Sequence, residues 1–283
     1  LIARPEWILD YEAQFTFSDE YYKVVLDILV PNFLIEKLLF KSKNQMWIPI
    51  LNMRVEILDF TRNWKEIIKE AIATSDKKLS DETIDNLLDL VIENDYSSVL
   101  EHISVTMRIK GISIALSREL LEHRIGVSHT DRSTRYNEEK DFHYYVPKEL
   151  PSWAYNKFLR LMERIQNLYD EMISNGIPKE KVRYILPLAA HTEYVLTMNM
   201  RSLRHFLSLR LCARASPEIR ELAEMIKKEV SAIFPFVKKF GCRGENMGVC
   251  PENEVRPSSC QKRIPLSKDI KRRSLIWNRL SGE

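Results

Sequence analysis

Ile103, Val105, Met107 and Ile109 alternate with polar residues, so they share one face of an extended segment. A strand with one apolar face has to bury it, and the run that follows, Ile112 to Arg124, has helical spacing. The pairing recurs along the chain. Met53 to Phe60 alternates, and Thr61 or Asn63 can cap the helical run behind it, with Glu66 three residues after Asn63. Tyr194 to Met200 reads as a strand and leads into a helix over Arg201–Cys212. Further helices are expected over Asp81–Glu93 with Ser80 as cap, over Trp153–Ser174 ended by Asn175-Gly176, and from Ser216-Pro217 onward. Phe142–Val146 is a short strand candidate, and residues 125–140 read as a polar loop. The predicted class is α+β, with a mixed or antiparallel sheet packed with long helices. The strands are too few and too dispersed for a doubly wound nucleotide fold. Neither GxGxxG nor GxxxxGK[ST] occurs, so any ligand phosphate has to be held by side chains.

Three regions divide the 283 residues. Residues 1–52 form an expected N-terminal extension, in which Pro31 interrupts the helical spacing of Tyr21–Phe40. Residues 53–240 carry the regular pattern, and residues 241–283 form a basic, cysteine-containing tail. The longest apolar runs, such as Ile185–Ala190, are far too short to span a bilayer. No basic-then-apolar leader is visible, so a soluble, cytoplasmic protein is expected. The net charge of +3 excludes a globally cationic nucleic-acid binder. The tail alone is rich in cations: Lys262, Arg263, Lys268, Lys271, Arg272, Arg273 and Arg279 stand against Asp269. Binding of a phosphate backbone there is an alternative; a solvated or subunit-packing tail is the plainer reading. Cys242, Cys250 and Cys260 have seven and nine residues between them, without the paired spacing of a structural zinc site, so no metal is expected. Free thiols, or a disulfide within the tail, remain.

The segment Glu122 to Tyr136 concentrates three arginines, two histidines and two serines behind an apolar helical run. Arg offers a planar, permanently charged fork, which suits phosphate and pyrophosphate groups. Ser133 with His129 as a nucleophile and base lacks a third orienting group and an oxyanion site. Taken singly, arginines on amphipathic helices are mostly solvated. Four patches stand in a fixed order, however. They are Ser98-x-x-Glu101-His102; His123-Arg124 followed by Ser128, Ser133-x-Arg135-Tyr136; Arg183-x-x-Leu186-Pro187; and Asn199-x-Arg201-Ser202-Leu203-x-x-Phe206-Leu207-x-Leu209-Arg210.

This order resembles the flavin-dependent thymidylate synthases, across roughly residues 53–235. The resemblance implies a homotetramer holding FAD at subunit junctions. The implied reaction moves a one-carbon unit from methylenetetrahydrofolate onto dUMP, with hydride from reduced flavin and NADPH as reductant. Motif by motif, it places Ser133, Thr134 and Arg135 on the nucleotide phosphate with Arg183 opposite, and Asp131 and Glu119 near the nucleotide. Arg210 is implied at the uracil ring, so Arg210 and Ser133 are the catalytic candidates. Ser98, Glu101, His123, Arg124, Ile125, Asn199, Arg201 and His205 are implied at the flavin. The chain departs from the family pattern at several points. Glu122 replaces the first Arg of Arg-His-Arg, and one extra residue precedes Ser128. Glu119 stands where Gln is frequent, Tyr96 where His is, Asp131 where Glu is and His205 where Asn is. A paralog that keeps the fold and binds nucleotide or flavin without this methylation is the alternative these changes raise.

Overall fold

The computed structural model describes residues 53–79, 82–251, 257–260 and 264–266. The expectations for residues 1–52, for Ser80 and Asp81, and for the basic run from Lys262 to Arg279 lie outside the described residues. Four strands form one sheet: β1 (Arg54–Phe60), β2 (Ser104–Ser113), β3 (Val127–Asp131) and β4 (His191–Asn199), in the order β1-β2-β4-β3. Every pairing is antiparallel, which settles the mixed-or-antiparallel expectation. Ile103, Val105, Met107 and Ile109 are fully buried, as their alternation requires. β2 then runs further than the alternation suggested. A bulge shifts the register between Lys110 and Ile112, with Gly111 at φ 70°. The extra residue returns Ile112 to the buried face and draws Ile112 and Ser113 into the strand.

Eight α-helices surround the sheet among the described residues: α1 (Trp64–Ser75), α2 (Ile84–Glu93), α3 (Ile114–Leu121), α4 (Ser152–Ser174), α5 (Lys179–Val182), α6 (Met200–Arg210), α7 (Pro217–Ile233) and α8 (Arg243–Met247). The core is built where α6 and α7 meet the inner strands. Leu203, Phe206 and Leu207 of α6 and Ile219, Leu222, Ile226 and Val230 of α7 are fully buried. Each such side chain contributes about 1.5–3 kcal/mol of burial free energy. Trp64 and Phe236 pack around Phe234 at the end of α7, with ring centroids 5.7 and 6.0 Å away.

Several local expectations change. Asn63 makes no side-chain cap bond at α1. Thr83 caps α2, accepting from Asn86 N at 3.3 Å. Ser216 does not cap α7 either; its hydroxyl donates to Glu119 Oε1 at 2.9 Å. Residues 127–131 are a strand rather than part of a loop, and Phe142–Val146 supplies only an isolated bridge, Tyr144 to Ala190.

Both strand-to-helix joints are made without a linker. Ser113 ends β2, pairs with His191, and accepts from Leu116 N at 3.0 Å to cap α3. Asn199 ends β4, pairs with Ser104, and accepts from Ser202 N at 2.8 Å to cap α6. The first joint is also locked from α7. Glu218, almost wholly buried, accepts from Ser113 N at 2.7 Å and from its hydroxyl at 2.6 Å. Burial pushes the Glu218 carboxyl above its ordinary range. Glu218→Ala strands a buried N–H and a hydroxyl, so it lowers unfolding stability by about 3 kcal/mol in a denaturant titration.

Candidate active site

At one end of the sheet β2 starts, β4 stops and β3 starts, because Ser104 faces Asn199 and Val127 faces Met198. Three polar segments therefore meet there: the 3-10 turn Ser97–His102, the turn from His123 to Gly126, and the first turn of α6. Most of the residues predicted at the flavin fall in this group. Arg201 forms an ion pair with Glu101, both half exposed. Asn199 N–H donates to Gly126 O at 3.1 Å, and Ser202 Oγ donates to Ile125 O at 2.6 Å. Gly126 has φ 65°, and a Cβ on it would lie 2.3 Å from Ser202 Oγ and 2.4 Å from Asn199 Nδ2. No side chain other than glycine's fits that approach. The clamp leaves Ile125 91% exposed, an apolar side chain turned outward next to exposed Arg124 in the chain, and Ser98 is exposed on the 3-10 turn. Glu122, the substitution that reverses a charge in the family pattern, is exposed at the C-terminus of α3, where water screens it.

Behind this surface lies a fixed hydrogen-bonded cluster. Arg210, the last residue of α6, donates through Nε to His123 Nε2 at 2.9 Å. Its Nη1 reaches Glu119 Oε2 and its Nη2 reaches Glu119 O, both at 3.3 Å. His123 is 7% exposed and packs edge-on to Phe206, with ring centroids 5.0 Å apart. Because Nε2 accepts, the ring proton sits on Nδ1. Burial, then the charge of Arg210 and the neighbouring His205 and His129, lower the His123 pKa to about 4. Its peptide oxygen accepts from His129 Nε2 at 2.7 Å, and Tyr194 OH donates to His129 Nδ1 at 2.9 Å. Burial and then Asp131 push the Tyr194 phenol up to about 12. Both nitrogens of His129 are thus engaged, which leaves it no free acceptor to serve as base for Ser133. By NMR, the ring protons of His123 should hold their shifts from pH 8 down to about 5.5. The unfolded chain takes up that proton first, so this group withdraws stability as pH falls from about 6.5 toward about 4.

The residues predicted on the nucleotide phosphate fall at the opposite end of β3. That strand is five residues long, about 13 Å. Asp131 Oδ1 accepts from Thr192 Oγ1 at 2.6 Å. Arg135 pairs with Glu180 of α5 at 3.5 Å, and Lys179 Nζ donates to Tyr136 O at 3.1 Å. Those two contacts bring the Arg183 turn, which directly follows α5, beside the Ser133–Arg135 loop. Ser133 O accepts from Tyr136 N and Asn137 N, and Ser133 and Thr134 are half-buried. The Arg183 guanidinium stands over the Tyr184 ring at 5.3 Å. Among the described residues no hydrogen bond or ion pair joins Arg135 or Arg183 to Arg210. Lys179, Glu180 and Tyr194 are site-shaping residues that sequence reasoning missed, and Ser202 stood in the fourth motif without an assigned role. Ser202 alone carried a local signal, lying three residues after a capping Asn.

Residues 56–236 match the thymidylate synthase complementing protein family. The flavin-dependent thymidylate synthase of Pyrococcus abyssi is 34% identical over 231 residues, covering 75% of this chain and 94% of that protein. The chain belongs to the flavin-dependent thymidylate synthase family. The Clostridium tetani member is 29% identical over 245 residues, covering 77% of this chain and 97% of that protein. A solved structure of the UMP/dUMP methylase PolB from Streptomyces cacaoi, bound with 5-Br dUMP, superposes with a TM-score of 0.56. It is 22% identical and covers 66% of this chain and 93% of that one, a likeness of fold. The family match spans every motif from Ser98 to Arg210 and stops short of the cysteine-bearing tail. No described helix is long and apolar enough to cross a membrane.

Proposed function

We propose that this protein is a methyltransferase that makes dTMP from dUMP, with methylenetetrahydrofolate as one-carbon donor, FAD as resident cofactor and NADPH as reductant. The observation that carries this reading is the Arg210–His123–Glu119 cluster, set inside the family-matched span beside the turn where the flavin motifs converge. The residues present suit a flavin. Exposed Arg124 and Arg201 offer cationic forks to a pyrophosphate. The uncovered Ile125 offers an apolar contact for a ring system. When bound, reduced FAD supplies the hydride that completes the methyl group. Ser98, Glu101, Asn199 and His205 orient the cofactor from the turn and from α6.

Ser133, Thr134 and Arg135 hold the nucleotide phosphate with Arg183, and Asp131 and Glu119 help place the nucleotide. Arg210 faces the pyrimidine and stabilises negative charge developing on it. Ser133 acts through its hydroxyl as a phosphate ligand and positioning group rather than as a nucleophile. The separation of the phosphate-binding loop from Arg210 is bridged by assembly as a homotetramer, in which neighbouring protomers complete one another's sites. The test is dTMP formation by the full chain under anaerobic conditions, from dUMP, methylenetetrahydrofolate and chemically reduced FAD. Product supports the reading. A folded, flavin-loaded sample that forms none overturns it and leaves the nucleotide-binding paralog.

A further inference from the structure

Cys212, Cys242, Cys250 and Cys260 are all the cysteines the chain has, and all four line one cavity of about 310 Å³ at the end of α6. They arrive from separate segments. Cys212 lies just beyond α6, and Cys242 is the N-terminal cap of α8. Cys250 is fixed by its N–H to Pro265 O at 2.8 Å, and Cys260 by its N–H to Pro257 O at 2.9 Å. A Cβ on Gly244 would sit 3.2 Å from Cys250 Cα, so the bare glycine lets Cys250 close against α8. All four are free thiols. Arg210, Arg214 and Arg243 line the same cavity.

We propose that this cavity holds an iron–sulfur cluster ligated by the four cysteine thiolates. Thiolates select zinc, copper(I) or iron–sulfur clusters over harder metals. A single tetrahedral zinc needs its sulfurs about 3.8 Å apart. Among the described residues no three of His, Cys, Asp and Glu gather closely enough to hold one ion. Four thiols lining one cavity of about 310 Å³ leave room for a multinuclear centre, whose metal and sulfide atoms would fill the middle. Each thiol gives up its proton as its sulfur bonds iron, and the resulting four-thiolate cluster carries net negative charge. The three guanidinium groups offset that charge, and charge and hydrogen bonding of this kind tune a cluster's potential. The centre would pin α8 and the tail segments to the end of α6, where Arg210 must keep its position. None of its four ligands takes part in the proposed nucleotide site, with which this cavity shares Arg210.

The experiment is metal and sulfide analysis of the full chain, purified anaerobically and also reconstituted with ferric and ferrous iron and sulfide. Mössbauer spectra of iron-57 samples separate the centre from flavin absorbance. The expected result is equimolar iron and acid-labile sulfide, about two or about four of each per chain, with the signal of thiolate-bound iron. Cys250→Ser with Cys260→Ser should lose it. Stoichiometric zinc without sulfide, a disulfide in the anaerobic protein, or four titratable thiols after reconstitution each overturn the proposal. So does a cluster signal that persists in the double variant. Should that variant fail to fold, the composition of the unaltered chain still decides.

Discussion

If Arg210 works as proposed, Arg210→Ala should lower kcat for dTMP formation by about a hundredfold to a thousandfold, the usual cost of removing a donor aimed at developing charge. The size follows from how the guanidinium is held. Of its five N–H groups, Nε–H is taken by His123, one on Nη1 by the Glu119 carboxylate and one on Nη2 by the Glu119 carbonyl. Two remain for a ligand, at fixed angles. The Glu119 carboxylate is itself held by the Ser216 hydroxyl. Arg210→Lys keeps the charge but not the fork, so it recovers little of the loss. The truncation also removes the second-largest influence on His123, whose pKa should rise from about 4 toward its ordinary value. The measurements are steady-state dTMP production and an imidazole titration, with circular dichroism to show that the fold persists. A kcat within about threefold of the parent would remove Arg210 from the chemistry.

Gly126→Ala acts through the backbone. The residue sits at φ 65°, and its Cβ position is already occupied by Ser202 Oγ and Asn199. Left-handed strain of about 1–2 kcal/mol adds to about 1–3 kcal/mol of overpacking. The thermal midpoint should drop by about 5–15 °C, at about 2–4 °C per kcal/mol for a domain of this size. Flavin affinity should fall with it, because the same clamp presents Ile125 and caps α6. A melting curve unchanged by Gly126→Ala would mean that the turn has room the observed contacts deny.

The inner strands were legible because both their period and their burial are simple. Ile103 to Ile109 packs one face on helices, so alternation survives in the residue types. β3 escaped notice because it is an edge strand, paired only to β4, and Val127–Asp131 is mostly polar. Gly111 was the one sign that β2 continues past Ile109, since a glycine inside a strand marks a bulge. In the site, the arginine and histidine motifs were visible as residue types. The three-donor grip of Arg210 on His123 and Glu119 was not, because it depends on the C-terminal ends of α3 and α6 meeting in space. The cysteine cavity was equally hidden, since spacing along the chain says nothing about segments that turn back onto α6.

The two linker-free joints have a dynamic consequence. With Ser113 and Asn199 each serving as the last ladder residue and the first helix cap, neither α3 nor α6 has a hinge to swing on. Both helices ride with the central strands as one lever, and their amides should exchange with deuterium nearly as slowly as those of β2 and β4. Any closing movement on a ligand therefore belongs to the Ser133–Tyr136 side, which is tied to α5 through exposed contacts. On the proposed function, Arg210 stays still while the Ser133–Tyr136 loop comes to it.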